Sequence, residues 1–201
     1  MAEWLKAAVL KTVDALRYPG VRIPLSLQKG FLLISKNPFL FSLPTFMKKT
    51  NAVRILESFN IHFELFEYEF NENEIDAVSV AGKINAPPEM VFKTLVATGD
   101  KTGYIVFIIP GNAELNLKKA ASASGNKRVE MIKAKDLLSV TGYIRGGCSP
   151  VGMIKKFPAY LEETSQLFAH IYISSGVRGM QMKLAPADLA KIAEAEFADL
   201  I

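Results

Sequence analysis

Apolar residues along positions 51–140 recur at two spacings, one typical of helices and one typical of strands. Between Asn51 and Phe59 the spacing is helical, which predicts a first helix. The aromatic-rich run Ile61–Phe70 alternates in part, and the apolar run Gly103–Pro110 is bounded by breakers, so both are predicted strands. The same reasoning predicts helices at Glu74–Lys83, Ala113–Ala123 and Leu137–Val140, the last capped by Asp136, and strands at Met90–Val96 and Val129–Ile132.

The segment Arg145–Gly152 interrupts this pattern, because it holds three glycines and one proline. Glycine adds backbone freedom and proline removes a hydrogen-bond donor, so the segment is predicted to be a shaped loop. We call it the clamp loop and interpret it as a substrate clamp, since such a backbone can approach a ligand closely. Beyond it we predict strands at Met153–Ile154, Ala169–Ser174 and Gly179–Leu184, then Pro186 at the first position of a closing helix over Leu189–Leu200.

Short strands outnumber helices in this pattern, and no internal repeat is present. We therefore expect an α+β domain built on a mixed, curved, barrel-like β-sheet with flanking helices. Half of the 201 residues are hydrophobic, which suffices for one sizeable core. Residues 1–46 are poorly patterned, and their longest apolar run, Phe31–Ile34, is far shorter than the ~20 residues of a membrane helix. We expect no membrane interaction.

Cysteine and histidine are too few, and too widely spaced, for the common metal sites. The single Cys148 cannot form an internal disulfide, and His62 and His170 lie far apart in the chain. We therefore expect no metal and no cofactor. This cysteine usage favours a reducing compartment, the cytoplasm.

The net charge of +4 is distributed unevenly. Residues 1–46 hold six Lys or Arg against two acids, whereas residues 47–201 hold eighteen of each, with the acids early and many bases later. We predict that these later bases form a positive face for a nucleic-acid backbone, and a merely solvated surface is the alternative. The candidates are Lys118, Lys119, Lys127, Arg128, Arg145, Lys155 and Lys156.

Lys93 lies inside the apolar run Phe92–Ala97, where an inward ammonium group needs a partner. The alternative is a lysine whose head reaches solvent from a strand edge. A conventional esterase needs a serine or cysteine nucleophile and a histidine base. Cys148, Ser149 and Ser174 have no histidine in a recognisable motif, so we expect no enzyme nucleophile.

Five separated motifs occur in one order along the chain: Phe92–Ala97, Asn116–Ala121, Arg145–Gly152, Ile171–Gly179 and Leu184–Leu189. In this order and spacing they resemble the YbaK/EbsC family of aminoacyl-tRNA deacylases, which is related to the insertion domain of prolyl-tRNA synthetase. The resemblance extends from about Met47 to Leu200. We therefore expect 47–201 to be the deacylase domain and 1–46 to be an N-terminal extension, a leader or a mis-assigned start.

The resemblance implies the family's fold and a hydrolysis in which the substrate supplies the nucleophile. The thiol of a cysteinyl group attacks its own ester, while the enzyme supplies position and polarity. Lys93 is the implied pocket lysine that stabilises charge on the ester carbonyl, and Gly146 is an implied backbone contributor beside it. Further implied substrate-binding residues are Tyr68, Thr94, Gly147, Ser149, Pro150 and Ser174.

The leading hypothesis is hydrolysis of mischarged Cys-tRNA(Pro), and also of Cys-tRNA(Cys), in trans. The expected partner is the acceptor end of the aminoacyl-tRNA, with prolyl-tRNA synthetase as a candidate docking partner. One alternative is an editing deacylase for another aminoacyl-tRNA such as Ala-tRNA(Pro). The other alternative is a tRNA-binding or regulatory module that shares the fold without catalysis.

Overall fold

The structure is a computed structural model that describes residues 49–71 and 76–201. The expected extension over residues 1–46 lies outside the described residues. In the described part, the predicted mixed α+β architecture is confirmed. No helix there is long and apolar enough to cross a membrane.

Five α-helices lie in the described part of the chain, and polar side chains begin three of them. They are α1 (Asn51–Ser58), α2 (Ala77–Lys83), α3 (Leu117–Ala123), α4 (Leu137–Thr141) and α5 (Pro186–Ala193). Thr50, Asp76 and Asn116 accept hydrogen bonds from the first-turn amides of α1, α2 and α3. Residues 49–71 and 76–201 also contain three short 3-10 helices, at Pro88–Met90, Ala134–Asp136 and Glu163–Leu167.

Two sheets contain the eight strands of the described residues. The five-stranded sheet has the order β4 (Val129–Met131), β2 (Phe92–Gly99), β3 (Gly103–Pro110), β5 (Ala159–Glu162) and β8 (Ala195–Ala198). Its first three strands are antiparallel neighbours, whereas β5 and β8 join in parallel. The antiparallel three-stranded sheet has the order β1 (Glu64–Glu67), β7 (Met180–Leu184) and β6 (Ile171–Ser174). A single bridge between Val91 and Tyr172 joins the sheets, which do not close into a barrel.

The core lies on both faces of β3, the middle strand of the larger sheet. Val106 and Ile108 belong to a cluster that includes α1, α5 and the three-stranded sheet. Ile105, Phe107 and Ile109 point to the opposite face and pack against α3. Burial on both faces explains why β3 reads as an uninterrupted apolar run in the sequence.

Three local predictions are wrong. Met153–Ile154 is not a strand, since this segment continues the irregular loop until β5 begins. The closing helix ends at Ala193 because Glu194 adopts a left-handed conformation with φ 50°, and β8 follows where helix was predicted. Asp136 does not cap α4 with its side chain, because its own backbone is already helical as the preceding 3-10 helix continues into α4.

Glu162 is a buried acid that ties the C-terminal segment to the sheet. Glu162 is only 1% exposed, and one of its carboxylate oxygens accepts a hydrogen bond from the backbone N–H of Leu200 at 2.6 Å. The other oxygen accepts from the N–H of Thr164 at 3.3 Å. Leu200 is itself fully buried, and the Glu162 carboxylate satisfies the backbone N–H groups of both Leu200 and Thr164.

Glu162→Gln should lower the free energy of unfolding by about 1–3 kcal/mol, because the amide NH₂ replaces one acceptor and faces an N–H donor. Urea unfolding followed by circular dichroism measures the change. The matched control is Glu163→Gln, at the neighbouring exposed acid, for which the midpoint should hardly move. Equal effects at the two positions would contradict a special role for Glu162.

Candidate active site

A cavity of about 280 Å³ lies beside the first half of β2. Strand β4 pairs only with the last three residues of β2, so the edge of β2 over Phe92–Leu95 is not paired with β4. The other walls come from the start of α2, from the clamp loop and from Ser174 on β6 and Gln181 on β7. The cavity therefore opens where the larger sheet is left incomplete.

The ammonium group of Lys93 is held at the wall of this cavity. Its Nζ donates to the backbone carbonyl of Gly111 at 3.0 Å. The N–H of Gly111 donates to the carbonyl of Val91 at 2.7 Å, which fixes the acceptor in turn. Burial lowers the pKa of Lys93, and the carboxylates of Glu114 and Asp76 partly offset that shift. An ammonium group has three N–H donors, so Lys93 retains donors for a substrate oxygen.

Tyr143 and Asn51 fix the far end of the clamp loop. The Tyr143 hydroxyl donates to the carbonyl of Val151 at 2.7 Å, and Asn51 Nδ2 donates to the carbonyl of Gly152 at 3.0 Å. Gly152 has φ +79°, and a Cβ there would lie 3.0 Å from the Tyr143 hydroxyl. Only glycine fits this conformation and this close approach. The prediction of a shaped loop is confirmed.

The near end of the clamp loop packs on the turn between β6 and β7. The Nε of Arg178 donates to the carbonyl of Arg145 at 2.9 Å. A Cβ on Gly147 would lie 3.2 Å from the backbone nitrogen of Arg178, so the two loops meet backbone to backbone. Gly146, with φ +82°, follows Arg145 and borders the cavity. The clamp loop is thus held at both ends, and its first residues form a fixed wall.

Cys148 borders the cavity, but its thiol is not activated. Burial raises the pKa of Cys148 to about 12, and a hydrogen bond with Thr141 offsets only part of this rise. At neutral pH the thiol is therefore protonated, and a protonated thiol is a poor nucleophile. Ser174 Oγ accepts from the N–H of Gly176 at 3.2 Å, and no residue lining the described cavity is a histidine.

The structure brings four of the predicted substrate-site residues to the cavity wall: Lys93, Thr94, Gly146 and Ser174. The other four do not line this cavity. Gly147 and Ser149 are buried in the clamp loop, where Ser149 Oγ accepts from the N–H of Val151 at 3.3 Å. Pro150 borders a second cavity of about 310 Å³, and Tyr68 packs in the small cluster beneath α2.

A sequence model of the aminoacyl-tRNA editing domain matches residues 72–192, which is more than half of the chain. All the cavity residues lie within this matched region. The chain belongs to this family. The predicted family is therefore confirmed, and with it the general class of activity, the editing of aminoacyl-tRNA.

Several similar proteins have names that refer to tRNA(Pro) or to prolyl-tRNA synthetase. The proposed Cys-tRNA(Pro)/Cys-tRNA(Cys) deacylase EbsC of Enterococcus faecalis is 48% identical over 153 residues, which span 76% of this chain and 93% of EbsC. A solved structure described as a proposed trans-editing enzyme for prolyl-tRNA synthetase has a TM-score of 0.66 and 26% identity, and the match covers 75% of this chain and 94% of that one. A proline–tRNA ligase of Thermosipho africanus is 33% identical over 76 residues, 38% of this chain and 13% of the ligase.

The predicted tRNA-binding bases of this editing domain occupy separate places. Three of them line a shallow groove of about 450 Å³: Lys118, Lys127 and Arg128. Arg145 borders the cavity beside β2, and Lys155 and Lys156 border the second cavity. Three of these bases form ion pairs: Lys119 with Asp199 at 2.7 Å, Arg128 with Glu130 at 2.6 Å, and Lys156 with Glu194.

Sequence reasoning missed three residues that bring hydrogen-bonding groups to the cavity. Gln181 was hidden between two methionines in a predicted strand, although a polar side chain in an apolar strand is itself a signal. Gly111 directly follows the predicted strand Gly103–Pro110 and was not singled out, although its carbonyl is the partner of Lys93. Asp76 borders the cavity while its two oxygens accept from the N–H and hydroxyl of Ser79.

In the described residues, no three His, Cys, Asp or Glu side chains cluster as a metal site.

Gly111→Ala should displace the partner of Lys93, because the new Cβ would lie 2.4 Å from the Cβ of Ala77 and 2.9 Å from the carbonyl oxygen of Val91. We expect a loss of about 1–3 kcal/mol in the free energy of unfolding, measured by urea denaturation. Gly82→Ala, within α2 and with nothing within 4 Å of its Cβ, is the matched control. It should be neutral or slightly stabilising, since alanine favours helix.

Alkylation of Cys148 by iodoacetamide at pH 8 should be at least a hundredfold slower in the native protein than in urea. A pKa of about 12, against 9.0 for a free thiol, leaves about a thousandfold less thiolate in the native state. Mass spectrometry of timed samples measures the rate. Alkylation at the same rate in both states would mean that the thiol is exposed and ionised.

Proposed function

We propose that this protein is a trans-editing deacylase that hydrolyses mischarged Cys-tRNA(Pro), with Cys-tRNA(Cys) as a second substrate. The name of the 48% identical EbsC and the description of the 26% identical trans-editing structure support this substrate class. Each match covers more than nine-tenths of the relative. Prolyl-tRNA synthetase is the proposed docking partner, in line with the description of the trans-editing structure, and the cytoplasm is the proposed compartment.

The observation that carries the proposal is a cavity with a fixed cation and no activated nucleophile. Lys93 supplies the cation, and the thiol of Cys148 is protonated at neutral pH. The Ser174 hydroxyl has no histidine base among the residues that line the cavity. Such a cavity suits a reaction in which the enzyme positions the substrate and stabilises charge while the substrate supplies the nucleophile.

In the proposed reaction, the thiol sulfur of the cysteinyl group forms a bond to its own ester carbonyl carbon. The bond from that carbon to the ribose oxygen then breaks, and the ribose oxygen takes up the proton that the thiol releases. The products are free tRNA and a cyclic thioester of cysteine, which water opens to cysteine. Holding the thiol against the carbonyl lowers the entropic part of the barrier without a covalent enzyme intermediate.

Each substrate-site residue predicted from the sequence has a proposed role in this reaction. Lys93 donates to the ester carbonyl oxygen as negative charge develops there, and the backbone of Gly146 contacts the same aminoacyl group. Thr94 and Ser174 line the aminoacyl pocket. The remaining predicted residues act by holding the clamp loop and α2 in place: Tyr68, Gly147, Ser149 and Pro150. The basic residues hold acceptor-stem phosphates, so tRNA binding weakens as salt rises.

Lys93→Met should lower kcat/KM for release of cysteine from Cys-tRNA(Pro) at least a hundredfold, because the donor to the developing oxyanion is lost. Methionine retains most of the apolar stem, so the fold should survive. Release of labelled cysteine from tRNA(Pro) measures the rate. The matched control is Lys101→Met, at the other end of the β2–β3 hairpin, which should leave kcat/KM unchanged.

The same assay with Ala-tRNA(Pro) and Ser-tRNA(Pro) tests the origin of the nucleophile. Cysteine should be released at least a hundredfold faster than serine, since a hydroxyl replaces the thiol in an otherwise similar side chain. Equally fast release of alanine would identify Ala-tRNA(Pro) as a substrate and would exclude assistance by the thiol of the substrate. Binding of all three aminoacyl-tRNAs without release of any amino acid would indicate that the protein is a non-catalytic tRNA-binding module.

A further inference from the structure

Two buried polar atoms at the cavity have no hydrogen-bond partner within the protein. They are Thr94 Oγ1 and Gln181 Oε1, and both residues line the wall. In the described residues, two further buried side-chain oxygens lack a partner, those of Thr164 and Ser165, and neither borders this cavity. Buried acceptors are nearly always paired in native proteins, so unpaired ones at a cavity wall point to a ligand that supplies donors.

The backbone holds Gln181 in a fixed position. It lies on β7, the middle strand of the three-stranded sheet, opposite Ser174 on β6 and Phe66 on β1. The residue is only 5% exposed, and its neighbour Met182 points into the main core on the other face of the sheet. A backbone held between two flanking strands limits where the carboxamide can lie, which suits a side chain that recognises a ligand group.

The charges at the cavity decide which ligand group fits this acceptor. Lys93 and Arg145 are cations that favour the carbonyl oxygen or phosphate of a substrate. The α-ammonium group of an aminoacyl ester needs acceptors instead. Asp76 lies on the exposed rim, with both oxygens already engaged by Ser79, whereas the buried oxygen of Gln181 has no such partner.

We infer that Gln181, with Thr94 as a second acceptor, binds the α-ammonium group of the aminoacyl end. This inference rests on the proposed function, because the aminoacyl end brings the ammonium group to the cavity. Gln181 then fixes one corner of the substrate while Lys93 fixes the carbonyl oxygen. Two fixed points orient the remaining substituent, the side chain, which is the group that the enzyme has to distinguish.

Two stable analogues of the substrate test this inference without turnover. Both are amides of 3′-amino-3′-deoxyadenosine, one with L-cysteine and one with 3-mercaptopropanoic acid, which lacks only the amine. The full chain should bind the cysteinyl amide at least tenfold more tightly, as measured by calorimetry, because a charge-assisted hydrogen bond is lost with the amine. Gln181→Met should abolish this preference, whereas Gln181→Glu should increase it.

The matched control is Gln166→Met, at an exposed glutamine in the 3-10 helix after β5, which should retain the preference. A merely structural role for Gln181 predicts that Gln181→Met weakens both analogues equally, and this result would overturn the inference. Equal binding of the two analogues to the unaltered protein would also overturn it, with the proposed function still standing. Binding of neither analogue would overturn the proposed function and the inference together.

Discussion

The candidate cavity lies beside the half of β2 that β4 does not reach. Strand β4 has three residues and pairs only with the end of β2, so it leaves the first half of β2 unpaired on that side. Strand β6 approaches only the beginning of this half, through the bridge between Val91 and Tyr172. Lys93 and Thr94 occupy that half. The site is thus a gap in hydrogen-bonded structure that α2, the clamp loop and the smaller sheet surround.

Rigid support of the clamp loop suits chemistry without an enzyme nucleophile. When position is the main contribution of the enzyme, a small displacement of a wall costs rate directly. The loop is held by the Tyr143 hydroxyl, by the Asn51 amide and by Arg178, three side chains from three parts of the chain. None of them needs to touch the substrate. Residues that were predicted as substrate contacts, such as Ser149, contribute to this support instead of lining the cavity.

Sequence patterns predicted those elements that local residues determine. The strand Gly103–Pro110 was predicted to the residue, because burial on both faces gives a continuous apolar run between breakers. The end of α5 was not predicted, because the alanines and the glutamate of Ala195–Ala198 favour a helix. Pairing of this segment with β5 overrides that preference. Gln181 escaped because its meaning depends on a cavity formed by distant segments. The motifs led to Lys93 and Gly146 directly.

The order of strands also constrains how the chain folds. β1 pairs with β7 alone, and Glu64 and Lys183 on these two strands stand 119 positions apart. The three-stranded sheet therefore cannot form until almost the whole domain has been synthesised. The apolar face of β1 stays uncovered until then. Such long-range pairing slows folding and exposes the nascent chain to aggregation. Gln181 belongs to β7, so the cavity cannot acquire its full wall until this late strand has been synthesised.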